Sequence, residues 1–243
     1  MVKRASPRYR WIDRATATST SWRMSSTTGA GWRPATRLMA YTCTHDQVGN
    51  RAVGDRPSQN LDHGQLAIKA ALALGSPYTA MLFMGEEWAS SRPFQFFSSH
   101  PEPELARATA DGRKAEFADH GWDAAEIPDP QDPETFLRSK LDWAEVSDSE
   151  HARMLGFYRD LIALRHSEPA MADPWLTQLT VDYDEEQRWI IMRRGPIAIA
   201  CNLGTEDVDV PAAGEPVLGW GGIAAETDTT RLAGHSVAVL RTT

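Results

Sequence analysis

Hydrophobic residues along this chain fall into three textures. Through residue 37 they are sparse, and neither a helical nor a strand period holds for more than a few positions. From residue 38 compact apolar runs appear. LMAYTC (38–43) is a short run bounded by polar residues, the pattern of a buried strand. A helix is predicted over residues 61–74, with Asn60 as its cap, Leu61, Ile68 and Leu72 on one face, and Gly75 and Pro77 at its end. YTAMLFM (78–84) is a second apolar run. Strand, helix and strand in that order predict a βαβ unit with parallel strands and a right-handed crossover. Both runs are apolar throughout rather than alternating, so both faces of each strand are expected to be covered, as in a parallel sheet or barrel.

Residues 89–146 are mixed. PFQFFSS (93–99) is aromatic and outward-looking, suited either to stacking on sugars or to packing under a loop. Residues 102–119 read as a charged helix, and IPDPQDPETF as a Pro-rich loop. A clear helix then begins at Ser147, where Ser147 and Glu150 form a capping-box pattern. Met154, Leu155, Tyr158, Leu161 and Ile162 give it an apolar face, and Pro169 marks its end. The third texture starts near Trp175. Short strand-like runs alternate with turn residues, as in RWIIMRR, PIAIACN and SVAVLR, and predict a small antiparallel β-sandwich.

Two strands cannot close a barrel, and a complete (β/α)8 barrel needs roughly 250 residues. The expected architecture is therefore the last strands and helices of a (β/α)8 barrel over residues 38–170, followed by a C-terminal β domain over 171–243. Residues 1–37 are a different matter. Eight bases and one acid give residues 1–40 a charge of +7, whereas the rest carries −15. The segment suits an organelle transit sequence, a basic arm, or sequence that never evolved to fold, such as a wrong start or a shifted frame; its tryptophans favour the last. In each case it is expected to be mostly disordered, having little apolar surface to offset ordering entropy.

The acidic body argues against nucleic-acid binding, and no run of about 18 apolar residues is present to span a membrane. Cys43 and Cys201 lie far apart in apolar runs and read as buried free thiols of a reducing compartment, hence the cytoplasm. The seven histidines are scattered, and there is no metal-ligand cluster, phosphate-binding glycine loop or serine elbow, so no cofactor is expected.

Charge gathers instead where the two apolar runs end, at His45-Asp46 and at Glu86-Glu87-Trp88. In α/β folds of this kind, working residues sit at the C-terminal ends of the strands. The same acids also suit a structural role, Asp46 capping a turn and Glu86 and Glu87 favouring the first turn of a helix.

Four segments in order, THDQVGNRAVGDR (44–56), MLFMGEEW (81–88), PFQFFSSHPEPEL (93–105) and PQDPETFLRSKLDW (130–143), carry a resemblance. Residues 36–243 resemble the C-terminal part of the α-amylase superfamily, glycoside hydrolase family 13, in its trehalohydrolase branch. Glycogen branching enzymes are the nearest alternative, but they carry Glu where this chain has Gln47. The resemblance implies a retaining mechanism in which two carboxylates, roughly 5–5.5 Å apart, act as nucleophile and general acid. It implies that Asp46 is the third, transition-state-stabilising carboxylate, with His45 as its neighbouring hydroxyl ligand. It further implies that Gln47 and Arg51 contact neighbouring glucose units, and that Glu86 and Trp88 shape the mouth of the site. The substrate implied is maltooligosyl trehalose or a related α-glucan. The family's nucleophile and general acid fall on strands preceding Leu38, and nothing in residues 1–37, Asp13 included, matches them. The expectation is a truncated hydrolase, inactive as this isolated chain. The alternative is a non-catalytic α-glucan-binding or partner-binding remnant.

Overall fold

A computed structural model describes residues 20–22, 34–119, 121–123 and 125–242. Strands β2 (Met39–Ala40) and β3 (Thr79–Ala80) pair in parallel, with Met39 opposite Thr79 and Ala40 opposite Ala80. The crossover helix α2 (His63–Gly75) lies between them in sequence, so the predicted βαβ order holds. Its start differs. Asp62, not Asn60, is the cap: Asp62 Oδ1 accepts from the Gln65 N–H (2.8 Å), and Gln65 Oε1 accepts from the Asp62 N–H (3.1 Å). Asn60 instead ends a 3-10 turn at Pro57–Gln59 and donates its amide to Asp55 (2.7 Å). A reciprocal capping box satisfies two donors at once, which a lone asparagine does not.

The strands are shorter than the apolar runs, and their expected burial is not what the structure shows. Leu38 (61% exposed), Met39 (63%) and Tyr41 (46%) face solvent. An apolar run records a preference for cover without saying what supplies it. Among the described residues, β2 pairs on one edge only, with β3. Two parallel strands and one crossover do not distinguish a barrel from an open sheet.

The C-terminal region is antiparallel, as expected, and forms two layers. A six-stranded sheet has the order β1-β4-β5-β6-β11-β8, and a three-stranded sheet the order β7-β10-β9. The large sheet comprises β1 (Thr20–Trp22), β4 (Leu179–Asp184), β5 (Trp189–Arg194), β6 (Ile197–Asn202), β8 (Glu215–Trp220) and β11 (Ser236–Arg241). The small one comprises β7 (Val208–Val210), β9 (Ile223–Ala225) and β10 (Thr230–Leu232). Every residue of β6 is buried because its sheet is covered on both sides. Ala198 and Ala200 pack with Trp189, Ile191, Val210 and Leu232 between the two sheets. Ile197, Ile199 and Cys201 pack on the opposite face with Leu66 and Ala67 of α2 and with Met154 and Leu161 of α5 (Ser149–Ser167).

Strand β1 is the part of residues 1–33 that the structure describes. Thr20 to Trp22 pair antiparallel with Val181 to Tyr183 of β4. Edge pairing is carried by backbone hydrogen bonds, so it demands little of the added sequence. The rest of that leader, residues 1–19 and 23–33, lies outside the described residues. Helix α5 also begins later than predicted. Ser147 closes a 3-10 turn (Trp143–Ser147), Asp148 occupies the N-cap, and no side chain caps the helix. Pro169 ends it as expected and opens the single turn α6 (Pro169–Ala172), with Glu168 as cap. The charged helix α3 (Pro103–Asp119) and the short α4 (Pro133–Ser139) complete the α layer. No helix among the described residues is long and apolar enough to cross a membrane.

Helix α2 and the sheet meet at two glycines. A Cβ on Gly64 would lie 1.9 Å from the His235 carbonyl oxygen, and one on Gly75 would lie 2.1 Å from the Ile199 side chain. The backbone obstacle is the less forgiving. Gly64→Ala is therefore expected to cost about 1–3 kcal/mol in urea unfolding. In the same assay Gly112→Ala, in α3 with nothing within 4 Å, is expected to gain up to about 1 kcal/mol.

Candidate active site

The first apolar run leads directly into a single helical turn, α1 (His45–Gly49). Thr44, in extended conformation, caps it: its hydroxyl oxygen accepts from the Asp46 N–H (3.1 Å), and its hydroxyl donates to Gln47 Oε1. At the other end Arg113 of α3 donates to the carbonyls of Gly49 (2.6 Å) and Arg51 (3.2 Å). The turn is thus held at both ends while its first side chains stay exposed. His45 and Asp46 are 69% and 72% exposed, and His45 Nε2 lies 3.2 Å from Asp46 Oδ1. Asp46 is not the cap that position alone allowed; Thr44 takes that role.

The loop after the turn folds back on itself. Arg51 and Asp55 form a 2.6 Å ion pair, and Asp55 also accepts from Asn60. The hydrogen bond from Arg51 holds the Asp55 carboxyl below its ordinary value, against the opposing effect of burial. Gln47, Arg51, Asp55 and Arg56 line a pocket of about 310 Å³ together with Thr42 and Cys43. In it, Asp55 Oδ1 and Arg56 Nη2 are buried with no hydrogen-bond partner. A larger cavity, about 540 Å³, lies on the β domain between residues 186–188 and 204–209. Its lining comes wholly from the β domain, and Asp207 and Asp209 beside it are paired with Arg231. The smaller pocket is the one next to α1.

Glu86 and Trp88 are each held by partners from other parts of the chain. Glu86 opens a 3-10 turn (Glu86–Trp88) and accepts from the Cys43 thiol (3.1 Å), the Phe83 N–H (3.1 Å), Tyr158 Oη (3.3 Å) and Thr42 Oγ1 (3.4 Å). It ties the two strand ends to each other and to α5. Trp88 is 2% exposed, donates its indole N–H to Glu145 (3.2 Å) and packs against Trp143. Its ring is enclosed by these contacts. The structure therefore brings His45, Asp46 and Gln47 together on one turn, with Arg51 in the loop just after it.

Several supporting residues escaped the sequence reading. Glu145 gathers Trp88, Ser90 and Ser91; burial works to raise its carboxyl, but those donors outweigh it and hold it low. Arg56 is 2% exposed, lies over the Phe83 ring and donates to the carbonyls of Met84 (2.8 Å) and Arg92 (2.6 Å). Lys69 donates to Thr42 (2.8 Å). The second Asp-Arg pair of THDQVGNRAVGDR was a signal, but nothing in the string separates its inward arginine from its outward one. Among the described residues, no group of three or more His, Cys, Asp or Glu side chains is arranged to hold a metal ion.

Residues 174–239 match a family described as Domain of unknown function (DUF3459), which takes in most of the β domain. A malto-oligosyltrehalose trehalohydrolase of Mycobacterium tuberculosis is 69% identical over 208 residues, covering 86% of this chain and 36% of that protein. One from Rhizobium sp. is 48% identical over 200 residues, covering 82% of this chain and 33% of its own length. The chain thus spans about a third of the length of these relatives. A Salmonella typhimurium structure solved as a candidate alpha amylase superposes with a TM-score of 0.73 at 34% identity, over 87% of this chain and 36% of that one. The alpha-amylase of H. orenii superposes at 0.51 with 14% identity, over 84% and 40%, a likeness of fold alone.

Two measurements test this geometry. Because the folded-state value of Asp55 is depressed, its contribution to stability is present above the ordinary carboxyl value, about 3.9, and is lost as pH falls through the folded value. The unfolding free-energy difference between wild type and Asp55→Asn is thus expected to be full at neutral pH and to shrink below about pH 4. Separately, burial and then Glu86 push the Cys43 thiol up to about 11, and burial pushes Cys201 up as well. At pH 8 neither cysteine is expected to react with a thiol reagent until denaturant unfolds the chain.

Proposed function

From the premise that this chain belongs to the malto-oligosyltrehalose trehalohydrolase family and corresponds to its C-terminal part, we propose that it carries the substrate-stabilising portion of a glycoside hydrolase active site. The reaction is hydrolysis of the α-1,4 bond next to a terminal trehalose, releasing trehalose. Asp46 is its transition-state-stabilising carboxylate. The observation that carries the reading is the α1 turn, which holds Asp46 and His45 outward on a backbone fixed at both ends. A carboxylate accepts hydroxyl donors through both oxygens, and these bonds tighten as positive charge develops on the sugar ring. His45, 3.2 Å from Asp46, orients it and contacts a neighbouring hydroxyl. Gln47 and Arg51, on the wall of the adjoining pocket, contact the next glucose units.

Glu86 holds the two strand ends at the spacing this requires, and Trp88 supports it from below. The surrounding architecture in this reading is the end of a (β/α)8 barrel, with the exposed Leu38, Met39 and Tyr41 belonging to its interior layers. In a retaining mechanism Asp46 would act beside a nucleophile and a general acid carried on earlier barrel strands. Two buried free thiols accord with a reducing, cytoplasmic setting.

Grafting residues 36–242 in place of the matching segment of a full-length relative tests the assignment. The graft is expected to release trehalose from maltooligosyl trehalose, and Asp46→Asn to lower kcat by about 10³-fold. Maltose release from starch instead would refute the substrate.

A further inference from the structure

One surface is left unused by the site so far described. Phe96, Phe97 and Phe136 are 40%, 37% and 46% exposed, and Leu137 beside them is 48% exposed. These rings do not hang free. Phe83 meets Phe94 edge-on at 5.2 Å, Phe94 meets Phe97 at 5.9 Å, and Phe97 meets Phe136 at 5.1 Å, each a T-shaped contact. The backbone beneath is pinned from both directions. The Phe94 N–H donates to the Gly54 carbonyl (2.8 Å), the Gln95 N–H to Ser139 Oγ (3.0 Å), and the Ser98 N–H to the Pro130 carbonyl (2.8 Å). Gly54 has φ +67°, and a Cβ there would lie 2.6 Å from the Phe94 and Gln95 backbone, so the loops touch without room for a side chain.

This ledge is continuous with the candidate site. Arg113 lies 4.8 Å over the Phe96 ring while donating to the Gly49 and Arg51 carbonyls, at the end of the turn that begins with His45 and Asp46. One guanidinium thus spans ledge and turn. We propose that Phe96, Phe97 and Phe136 form a remote subsite that stacks the glucose rings of an α-1,4-glucan chain whose reacting end lies at Asp46. The inference rests on the hydrolase reading for the identity of the chain.

Three physical reasons favour a sugar chain. A pyranose presents an apolar C–H face that an aromatic ring covers, and rings already locked by their neighbours lose little entropy on binding. The guanidinium in the ledge is already committed to carbonyls, so the surface suits a neutral ligand. Four partly exposed side chains offer far less than the roughly 800 Å² per partner of a stable protein interface.

The 243-residue chain can be titrated with maltotriose, maltoheptaose and cellohexaose, following its NMR signals. Maltoheptaose is expected to bind, more tightly than maltotriose, with cellohexaose much weaker. Phe97→Ala, and independently the milder Phe136→Leu, are expected to weaken maltoheptaose binding about tenfold. In the grafted hydrolase the same variants are expected to raise KM for long maltooligosyl substrates at least severalfold more than for the shortest. Undiminished binding in both variants, no binding of maltoheptaose, or equal binding of cellohexaose would each overturn the subsite. A graft that releases no trehalose would sink the hydrolase reading, while the titration would still decide the ledge.

Discussion

The C-terminal end of α2 is the junction on which the remaining structure depends. Its last carbonyls cannot be satisfied within the helix, and they are buried. Two arginines from different elements take them. Arg165 of α5 donates to Leu74, Ser76 (2.6 Å) and Tyr78 (2.6 Å), and Arg194 of β5 donates to Gly75 (2.9 Å), Met171 (2.8 Å) and Asp173. Burial, then the nearby Arg165, pushes Arg194 down to about 10, and burial lowers Arg165. Both guanidinia nonetheless face the negative end of the helix dipole, where a cation is favoured. One cluster of bonds therefore locks crossover helix, β domain and the entry to β3 together.

The strand ends inherit their positions from that junction. With the entry to β3 fixed, parallel pairing sets Met39 opposite Thr79, and the polar residues after each strand emerge side by side. Glu86 then reaches Thr42 and Cys43 across the gap, and Tyr158 reaches Glu86 from α5. The Tyr158 hydroxyl, driven well up in pKa by burial and by Glu86, stays a donor to that carboxylate. A hydrogen-bonded acid is in this way consumed in holding the frame, whereas Asp46, on the helical turn that follows the neighbouring strand, is left outward.

The β domain contributes more than a terminal cap. Its large sheet is covered on one face by the three-stranded sheet and on the other by α2 and α5. At its rim, Asp62 both caps α2 and lies 2.5 Å from His235 Nδ1, and Trp220 receives His63, Phe157 and Arg153. The helix that positions the candidate site is thus begun, lined and ended by contacts with this domain.

Local pattern made much of this legible. The βαβ order followed from two apolar runs flanking a helical period, the antiparallel domain from RWIIMRR, PIAIACN and SVAVLR, and the outward His45-Asp46 pair from its place at a strand end. These features depend on residues close together in the chain, where propensity and periodicity act. What the string could not disclose were pairings across long separations. Whether Glu86 is a ligand or a tie beam depends on Tyr158, 72 residues away. Whether Trp88 faces solvent depends on Glu145 and Trp143, and whether Thr20–Trp22 forms a strand depends on the open edge of β4. Sequence by itself determined which residues can carry charge and which seek cover. Only the tertiary structure decided which charges are spent on one another, because burial and partner distance are properties of the packed chain.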